Sequence, residues 1–580
     1  MVEEHEVRWE FLTSDESLVN QVVQKLKISR VLASIIVQRG FCSLADIERF
    51  MSPKISDLGD PFLLENMAEA VELVDNHLAE GSPISIIGDY DVDGITSTAF
   101  MVDVLSHFGC SPQYFIPRRF SEGYGMSQEI VNRVLKKSTP KLVIALDCGT
   151  NSSHEIEFLH KKGIDVLVID HHMLTLDQAP KYATIINPHI NNGSEVLRAM
   201  CAVGLVFKFV HAFLKYRRSR GDDRALSIRL RNYFDIIALG TIADMMPVRW
   251  ENRVLVKHGL QSFAKERRPG LEALCAVSNI PSGVPIIQSD VSFKLAPRIN
   301  VSGRLSDATL PVELLLSKHI SDAMSIAKKV DKMNRERQNI EHQITLEAKK
   351  IVQDHYKDDP GIVLFKPNWH SGVVGIVAGK LSQAYKRPVI VLALERGIAK
   401  GSGRSVGVNL VDVVSECQNK VVAWGGHRMA VGISLDPDKI DDFRKAFNAA
   451  IPKHRIDDTA DKKIEIAYTL KANDVNEALA KELEAYLQPY GQMNAEPIFC
   501  IRRVRFLNCT EFFGSEKQHF RFWIERKRNS WLSGIAWDMA SRFPEKNRDL
   551  DILVKVAFDT WNNEKFLLMS LVDWRYSTDV

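Results

Sequence analysis

Ile84-Ser85-Ile86-Ile87-Gly88-Asp89-Tyr90-Asp91-Val92-Asp93-Gly94 sets a β-branched, apolar run directly against three carboxylates at alternating positions. Such a run, closed by glycine, predicts a strand. If the strand continued through them, the three acids would share one face and repel one another at a cost that cations relieve. The stretch therefore predicts a divalent-metal site at a strand end. The arrangement recurs: Val143-Ile144-Ala145-Leu146 ends at Asp147, and Val166-Leu167-Val168-Ile169 ends at Asp170-His171-His172. In an open parallel sheet the carboxyl ends of the strands line the ligand crevice, so distant segments converge there. Hydrolysis by two metal ions needs such a constellation.

Short β-branched runs at 84–88, 113–117, 141–146, 165–169 and 184–187 alternate with amphipathic helical patterns at 95–108, 127–137 and 153–162. That alternation predicts βαβ units and a parallel sheet covered on both faces. Residues from about 1 to 80 read as helical, with Met67, Ala70, Val71, Val74 and Leu78 at helical spacing, and form a cap ahead of this unit. The stretch 201–246 turns helical. From about 320 to 356 a charged run holds neither Gly nor Pro, which predicts one long helix linking two lobes. A second α/β unit begins at Gly361 with Ile362-Val363-Leu364-Phe365. Beyond 455, a helix over 473–487 precedes alternating strands such as His519 to Ile524, a pattern that suggests a small β-barrel. The fold class expected is α/β multidomain.

At 580 residues the chain is too long for one core. With 45% apolar and 26% charged residues it reads as globular. No run of about 18 apolar residues occurs, and Met1-Val2-Glu3-Glu4-His5 lacks the layout of a signal peptide, so a cytoplasmic location and no membrane partner are expected. Eight cysteines without a CxxC pair predict free thiols rather than a structural zinc site or disulfides. A net charge of +2 excludes a globally basic protein and confines any nucleic-acid binding to local patches.

Each motif alone has a structural reading. Asp147 after a strand reads as a helix N-cap, and the His171-His172 pair as structural. Asp244, in Gly240-Thr241-Ile242-Ala243-Asp244, is a lone acid in apolar surroundings, where burial without a partner is costly. Four acid or histidine motifs at element ends of one domain argue jointly against structure alone.

Asp89-Tyr90-Asp91-Val92-Asp93-Gly94, Asp147-Cys148-Gly149, Asp170-His171-His172 and Gly240 to Asp244 resemble the four motifs of the DHH phosphoesterases. Within that superfamily, Pro297-Arg298-Ile299-Asn300-Val301-Ser302-Gly303-Arg304-Leu305, Trp369 to Ala378, Gly401-Ser402-Gly403-Arg404-Ser405 and Gly425-Gly426-His427 resemble the RecJ single-strand exonucleases, a likeness that covers almost the whole chain. Where that family usually has two alanines after the asparagine, Val301 and Ser302 stand here, a change expected to affect packing rather than chemistry. The resemblance implies an N-terminal helical cap (1–80), a parallel-sheet DHH domain (81–316), a linking helix (317–356), a DHH-associated α/β domain (357–455) and an OB-like β-barrel that binds nucleic acid (456–580).

The same resemblance implies a site for two Mn²⁺ or Mg²⁺ ions held by Asp91, Asp93, Asp147, His171 and Asp244, with Asp89, Asp170 and His172 beside it in catalytic roles. Carboxylates with imidazole suit Mn²⁺, and the oxygen-rich balance also admits Mg²⁺. Asp170 is expected to orient a histidine ring, and His172 to contact phosphate or donate a proton. The activity implied is 5′ to 3′ hydrolysis of single-stranded DNA to 5′ mononucleotides in repair and recombination, by a monomer, with a helicase and a single-strand-binding protein as further partners. Arg119, Ser402 and Arg404 match the family's 5′-end pocket. Arg298, Asn300, Arg304 and His427 are expected to follow the next phosphates, although His427 alone reads as a turn residue. On the strand His519 to Ile524, Arg521 and Trp523 share the face opposite Phe520, Phe522 and Ile524. Trp523 there reads equally as a base-stacking platform and as packing against another element. The competing functions are a DHH phosphodiesterase for short RNA or cyclic dinucleotides and a catalytically silent DNA-binding scaffold.

Overall fold

Strand β1 (Arg8–Phe11) leads into three short helices, α1 (Glu16–Leu26), α2 (Arg30–Gln38) and α3 (Leu44–Met51). Each starts at a residue whose side chain accepts from first-turn amides, Asp15, Ser29 and Ser43 respectively. The computed structural model describes residues 7–578 apart from 119–121, 124, 175–178, 191–192, 266, 306–307, 456–462, 508–510, 528–529, 546 and 562–563, and omits the side chains of 304, 305, 527, 560, 561 and 564. Val19, Val22, Leu32, Ile36, Ile47 and Phe50 of the three helices share one core with Leu483, Phe499, Phe520 and Phe522 of the C-terminal region. Helix α4 (Met67–Ala79) instead buries Met67, Ala70, Val71 and Val74 in the core of the catalytic unit. The stretch expected as one cap over 1–80 is thus divided between two cores. Its helical periodicity gives a buried face without naming the surface that covers it.

The parallel sheet contains β2 (Ile84–Gly88), β3 (Gln113–Phe115), β4 (Leu142–Leu146), β5 (Asp165–Ile169) and β6 (Thr184–Ile186) in the spatial order β3-β2-β4-β5-β6. Helices α5 (Val92–His107), α6 (Gln128–Lys137) and α7 (Ser153–His160) form the first three crossovers. Every residue of β2 and β4 is buried, as apolar runs covered on both faces require. The register pairs Gly88 with Leu146 and Leu146 with Ile169. Asp89, Asp147 and Asp170, each one residue further on, therefore emerge side by side at the carboxyl edge. The chain runs from β2 outward to β3 and returns to β4 on the other side, so β2 and β4 flank the topological switch point.

The helix Ile320–His355 runs unbroken for 36 residues. Ala323 and Ala327 near its start join the catalytic core, while Ile344, Ala348 and Val352 near its end join the core of the second lobe. That lobe holds β7 (Ile362–Lys366), β8 (Val389–Glu395), β9 (Ile398–Arg404), β10 (Ala423–His427) and β11 (Ala430–Leu435) in the order β10-β11-β9-β8-β7. Only β7 and β8 pair in parallel. Strand β12 (Lys463–Ile466) pairs with β1. A seven-stranded, mostly antiparallel sheet completes the chain, with β13 (Tyr468–Leu470), β14 (Phe499–Val504), β15 (Glu511–Phe513), β16 (His519–Lys527), β17 (Ser530–Ala536), β18 (Leu550–Trp561) and β19 (Glu564–Tyr576). The seven described cysteines outside 508–510 are free, as expected.

Candidate metal centre and the cleft beside it

Strand β2 ends at Gly88, and α5 begins at Val92, so the three acids after β2 do not alternate on a strand. The capping preference of Asp decides the local geometry: the Asp91 side chain accepts from the amides of Asp93 and Gly94 at 3.0 and 3.1 Å and starts α5. Asp93 lies in the first helical turn and caps a different helix. Its two oxygens accept from the amides of Ala202 and Val203, at 2.7 and 2.8 Å, at the start of the helix Ala202–Ser219. Two glycines make these approaches possible. A Cβ on Gly94 would sit 2.4 Å from the Asp89 carbonyl oxygen, and one on Gly240 would sit 2.6 Å from Thr96 Oγ1 and 3.3 Å from Asp93 Oδ1.

Asp147 takes a left-handed conformation (φ +61) after β4, which Asp tolerates better than most residues. His171 Nε2 stands 3.3 Å from Asp147 Oδ1, 3.8 Å from Asp93 Oδ2 and 3.6 Å from Asp244 Oδ2, and is the common neighbour of three acids from separate segments. Asp244 caps the C-terminus of the helix Phe234–Ala243. Asp170 accepts from the amides of Thr150, His171 and His172 and, at 2.7 Å, from His172 Nδ1. Three sets of ligand atoms lie within 4.8 Å of one another: Asp147 with His171 and His172, Asp93 with His171 and Asp244, and Asp89 with Asp91 and Asp147.

The electrostatics divide the acids. Burial first, then the charge of Asp91, holds the Asp89 carboxyl well above its usual range. Burial and the charges of Asp93 and Asp91 do the same to Asp147 and raise Asp244 to about 8. Burial also lifts Asp93, with His171 opposing. Asp170 is the exception: burial pushes it up, yet the hydrogen bond and charge of His172 bring it below the ordinary carboxylate range. Burial lowers His172, and Asp170 more than offsets this, raising it to about 9. Both oxygens of Asp89 and Oδ1 of Asp147 are buried without a hydrogen bond of good geometry, so ionising these carboxyls carries a burial cost that bound cations would relieve.

Sequence reading missed the support for the histidine loop. Asn187, one residue past β6, donates to Thr150 Oγ1 and to the His172 carbonyl, both at 2.9 Å. A polar residue one place past a strand end was the only available signal.

The residues proposed to follow the strand are scattered. Asn300 lines a cleft of about 480 Å³ with Ala243, Met245, Phe293, Arg337 and Ile376, beside Asp244 and between the lobes. Arg298 is committed elsewhere, with Nε 2.9 Å from Asp331 Oδ1 on the linking helix. Ser402 and Arg404 share one face of β9 against the helix Val374–Tyr385, where a Cβ on Gly375 would sit 3.1 Å from Ser402 Oγ. His427 is exposed at the end of β10. On β16, Phe520, Phe522 and Ile524 are buried, Arg521 is exposed and Trp523 is half-buried, as the alternation predicts. Arg119 and the side chain of Arg304 lie outside the described residues. Arg337 was not foreseen, since an arginine in a charged helix carries no distinguishing pattern.

Residues 83–241 match the N-terminal domain of the DHH family, residues 358–453 the DHHA1 domain and residues 464–573 the RecJ OB domain. The single-stranded-DNA-specific exonuclease RecJ of Bacillus subtilis is 32% identical over 96% of this chain and 70% of its own length. That of Escherichia coli is 33% identical over 81% of this chain and 82% of its own. The crystal structure of Thermus thermophilus RecJ in complex with Mn²⁺ superposes with a TM-score of 0.82 at 25% identity, covering 100% of this chain and 81% of that one. A second exonuclease RecJ structure, bound to manganese, has a TM-score of 0.58 at 29% identity over 68% of this chain and 96% of its own. A shared three-domain order and identity of this extent along the chain place it in one group: the chain belongs to the RecJ family of DHH phosphoesterases.

Proposed function

We propose that this chain is a metal-dependent exonuclease that degrades single-stranded DNA from its 5′ end to 5′ mononucleotides, in DNA repair and recombination. The observation that carries the reading is the gathering of Asp89, Asp91, Asp93, Asp147, His171, His172 and Asp244 into three overlapping ligand sets that include buried oxygens without a hydrogen bond of good geometry. The donor set fits hard divalent cations, since carboxylate oxygens with one or two imidazoles suit Mn²⁺ and admit Mg²⁺. Asp91, Asp93, Asp147, His171 and Asp244 would hold the ions. When bound, a pair of such ions lowers the pKa of water, polarises the phosphodiester and stabilises the leaving oxygen.

The chain's own groups do the positioning. Asp93 is fixed by two backbone amides and Asp91 by its cap, so neither carboxylate needs to reorganise to receive an ion. Asp170 holds the His172 ring through Nδ1, orienting it to contact a phosphate oxygen or to donate a proton. Arg119, Ser402 and Arg404 read the 5′ phosphate, a task suited to the guanidinium fork. Asn300, Arg304 and His427 follow the next phosphates, with Arg298 bracing its segment, and Arg521 and Trp523 meet the strand further out. All the metal-centre residues come from one chain, so the centre needs no second copy, which supports action as a monomer; a cytoplasmic location belongs to the same proposal. A free single-stranded 5′ end has to be supplied, which makes a helicase and a single-strand-binding protein the natural partner classes. Among the described residues no helix is long and apolar enough to cross a membrane.

The test is digestion of end-labelled single and double strands with Mn²⁺ and with a chelator. Single strands should shorten from the 5′ end only when the ion is present, while blunt duplex survives. Equal digestion of duplex, or hydrolysis in the chelator, would contradict the reading.

A further inference from the structure

Away from the metal centre, a cavity of about 530 Å³ opens where the N-terminal helices meet the helix Trp250–Lys265. Phe41, Phe50, Arg49, Arg249, Trp250 and Glu251 are among its walls. Its size falls within the roughly 300–1,000 Å³ of small-molecule sites, which are typically apolar with a few placed polar groups. The Arg249 guanidinium lies between two rings, 4.5 Å from the Phe41 centroid and 5.5 Å from that of Trp250. Its Nε is buried without a hydrogen-bond partner, and among the described residues no carboxylate pairs with it.

Three acids line the same cavity, each with a partner of its own. Glu251 Oε2 is 2.5 Å from Lys208 Nζ, Asp46 accepts from the Ser43 hydroxyl at 2.7 Å, and Asp57 accepts from the Lys54 amide at 2.7 Å. Arg249, half-buried, thus shares the cavity wall with these three acids and has no ion-pair partner of its own among the described residues. Trp250 itself is held at φ +48, a left-handed conformation that bulky side chains rarely adopt and that concentrates at ligand sites. One turn on, Arg253 lies 3.9 Å over the Phe50 ring and donates to the carbonyls of Phe50, Tyr486 and Leu487. The cavity therefore sits at the joint of the N-terminal helices, the catalytic unit and the C-terminal domain.

We propose that this cavity binds a nucleoside monophosphate, with the phosphate on the terminal nitrogens of Arg249 and the base against Trp250. Charge-assisted hydrogen bonds from arginine suit phosphate, and aromatic walls suit a flat base of any identity. The choice of nucleotide over other flat anions rests on the function proposed above, in which nucleoside monophosphates are the product released.

Calorimetric titration of dTMP into the full chain in EDTA tests this, because the metal centre then has no ions to offer a phosphate. One dTMP should bind per chain. Affinity should fall at least about tenfold in Arg249→Ala, with partial recovery in Arg249→Lys, while thymidine or inorganic phosphate alone should bind at least about tenfold more weakly than dTMP. Arg249→Ala should keep its melting temperature and its Mn²⁺-dependent hydrolysis of single strands, and Phe41→Leu provides a second probe of the same wall. Failure of the unaltered chain to bind dTMP, equal affinity in all variants, or inorganic phosphate binding as tightly as dTMP would overturn the inference. Arg249-dependent dTMP binding by a chain that lacks nuclease activity would uphold the cavity and reject the proposed function instead.

Discussion

Asp93 and Asp147 show how two buried acids of one cluster differ in what they do for the fold. Asp93 satisfies two amides that the helix Ala202–Ser219 would otherwise leave open. Asp147 has an oxygen without a hydrogen bond of good geometry and a carboxyl that burial makes reluctant to ionise. In chelator, Asp93→Ala should therefore lose about 1–2 kcal/mol of stability as a lost cap does, while Asp147→Asn, which keeps the shape and tolerates φ +61, should gain on the order of 1 kcal/mol. Denaturant unfolding of both variants checks this. A loss in Asp147→Asn as large as that in Asp93→Ala would show that the Asp147 carboxylate is already satisfied without metal. At this scale the identity of the acids was legible and their geometry was not. Alternation suggested three side chains on one strand face, whereas the N-cap preference of Asp91 ended the extended segment and turned Asp93 into a helix.

At the scale of elements, the joint between β2 and α5 is held by close backbone contact. Gly94→Ala would place a Cβ 2.4 Å from the Asp89 carbonyl oxygen, and backbone at both sides of that contact has little room to move. A loss of about 1–3 kcal/mol, typical of overpacking, together with loss of hydrolysis, is expected in thermal melts and nuclease assays. A variant with unchanged melting temperature would mean that the joint has slack enough to admit a methyl group. Strand β9 carries a second prediction: Arg404→Ala should reduce the preference for 5′-phosphorylated over 5′-hydroxyl strands, measured as a ratio of rates, and an unchanged ratio would move end recognition elsewhere. The strands of the catalytic sheet were legible because apolar runs with glycine or acid endings have few other readings. The in-register levels of Gly88, Leu146 and Ile169, which align the three acids, follow from pairing between segments and leave no trace in any one of them.

Across the whole molecule, the helix Trp250–Lys265 joins the catalytic unit to both chain ends. Lys257 Nζ donates to the carbonyls of Met51 and Ala485, each at 3.0 Å. Burial, and then the charge of Arg253, lower its pKa from the usual 10.5 to about 8. Between those two values the unfolded chain holds more protons than the folded one, so this lysine contributes stability that rises with pH across that window. Lys257→Met should remove that rising component from the pH profile of the melting temperature, and an unchanged profile would show that the lysine stays hydrated. This joint was illegible beforehand, since the apolar faces of α1 to α3 announce burial but do not say that the partner is a sheet more than 400 residues further along the chain.

The central claim is that these acids and histidines hold a pair of divalent ions that hydrolysis requires. Calorimetric titration of Mn²⁺ into the metal-free chain, with single-strand hydrolysis followed on the same preparation, tests it most directly. The account predicts two ions bound by the unaltered chain, and in Asp147→Ala the loss of at least one ion together with a fall of more than about a thousandfold in rate, consistent with removal of a group central to two-metal catalysis. Unchanged stoichiometry and rate in Asp147→Ala would contradict it.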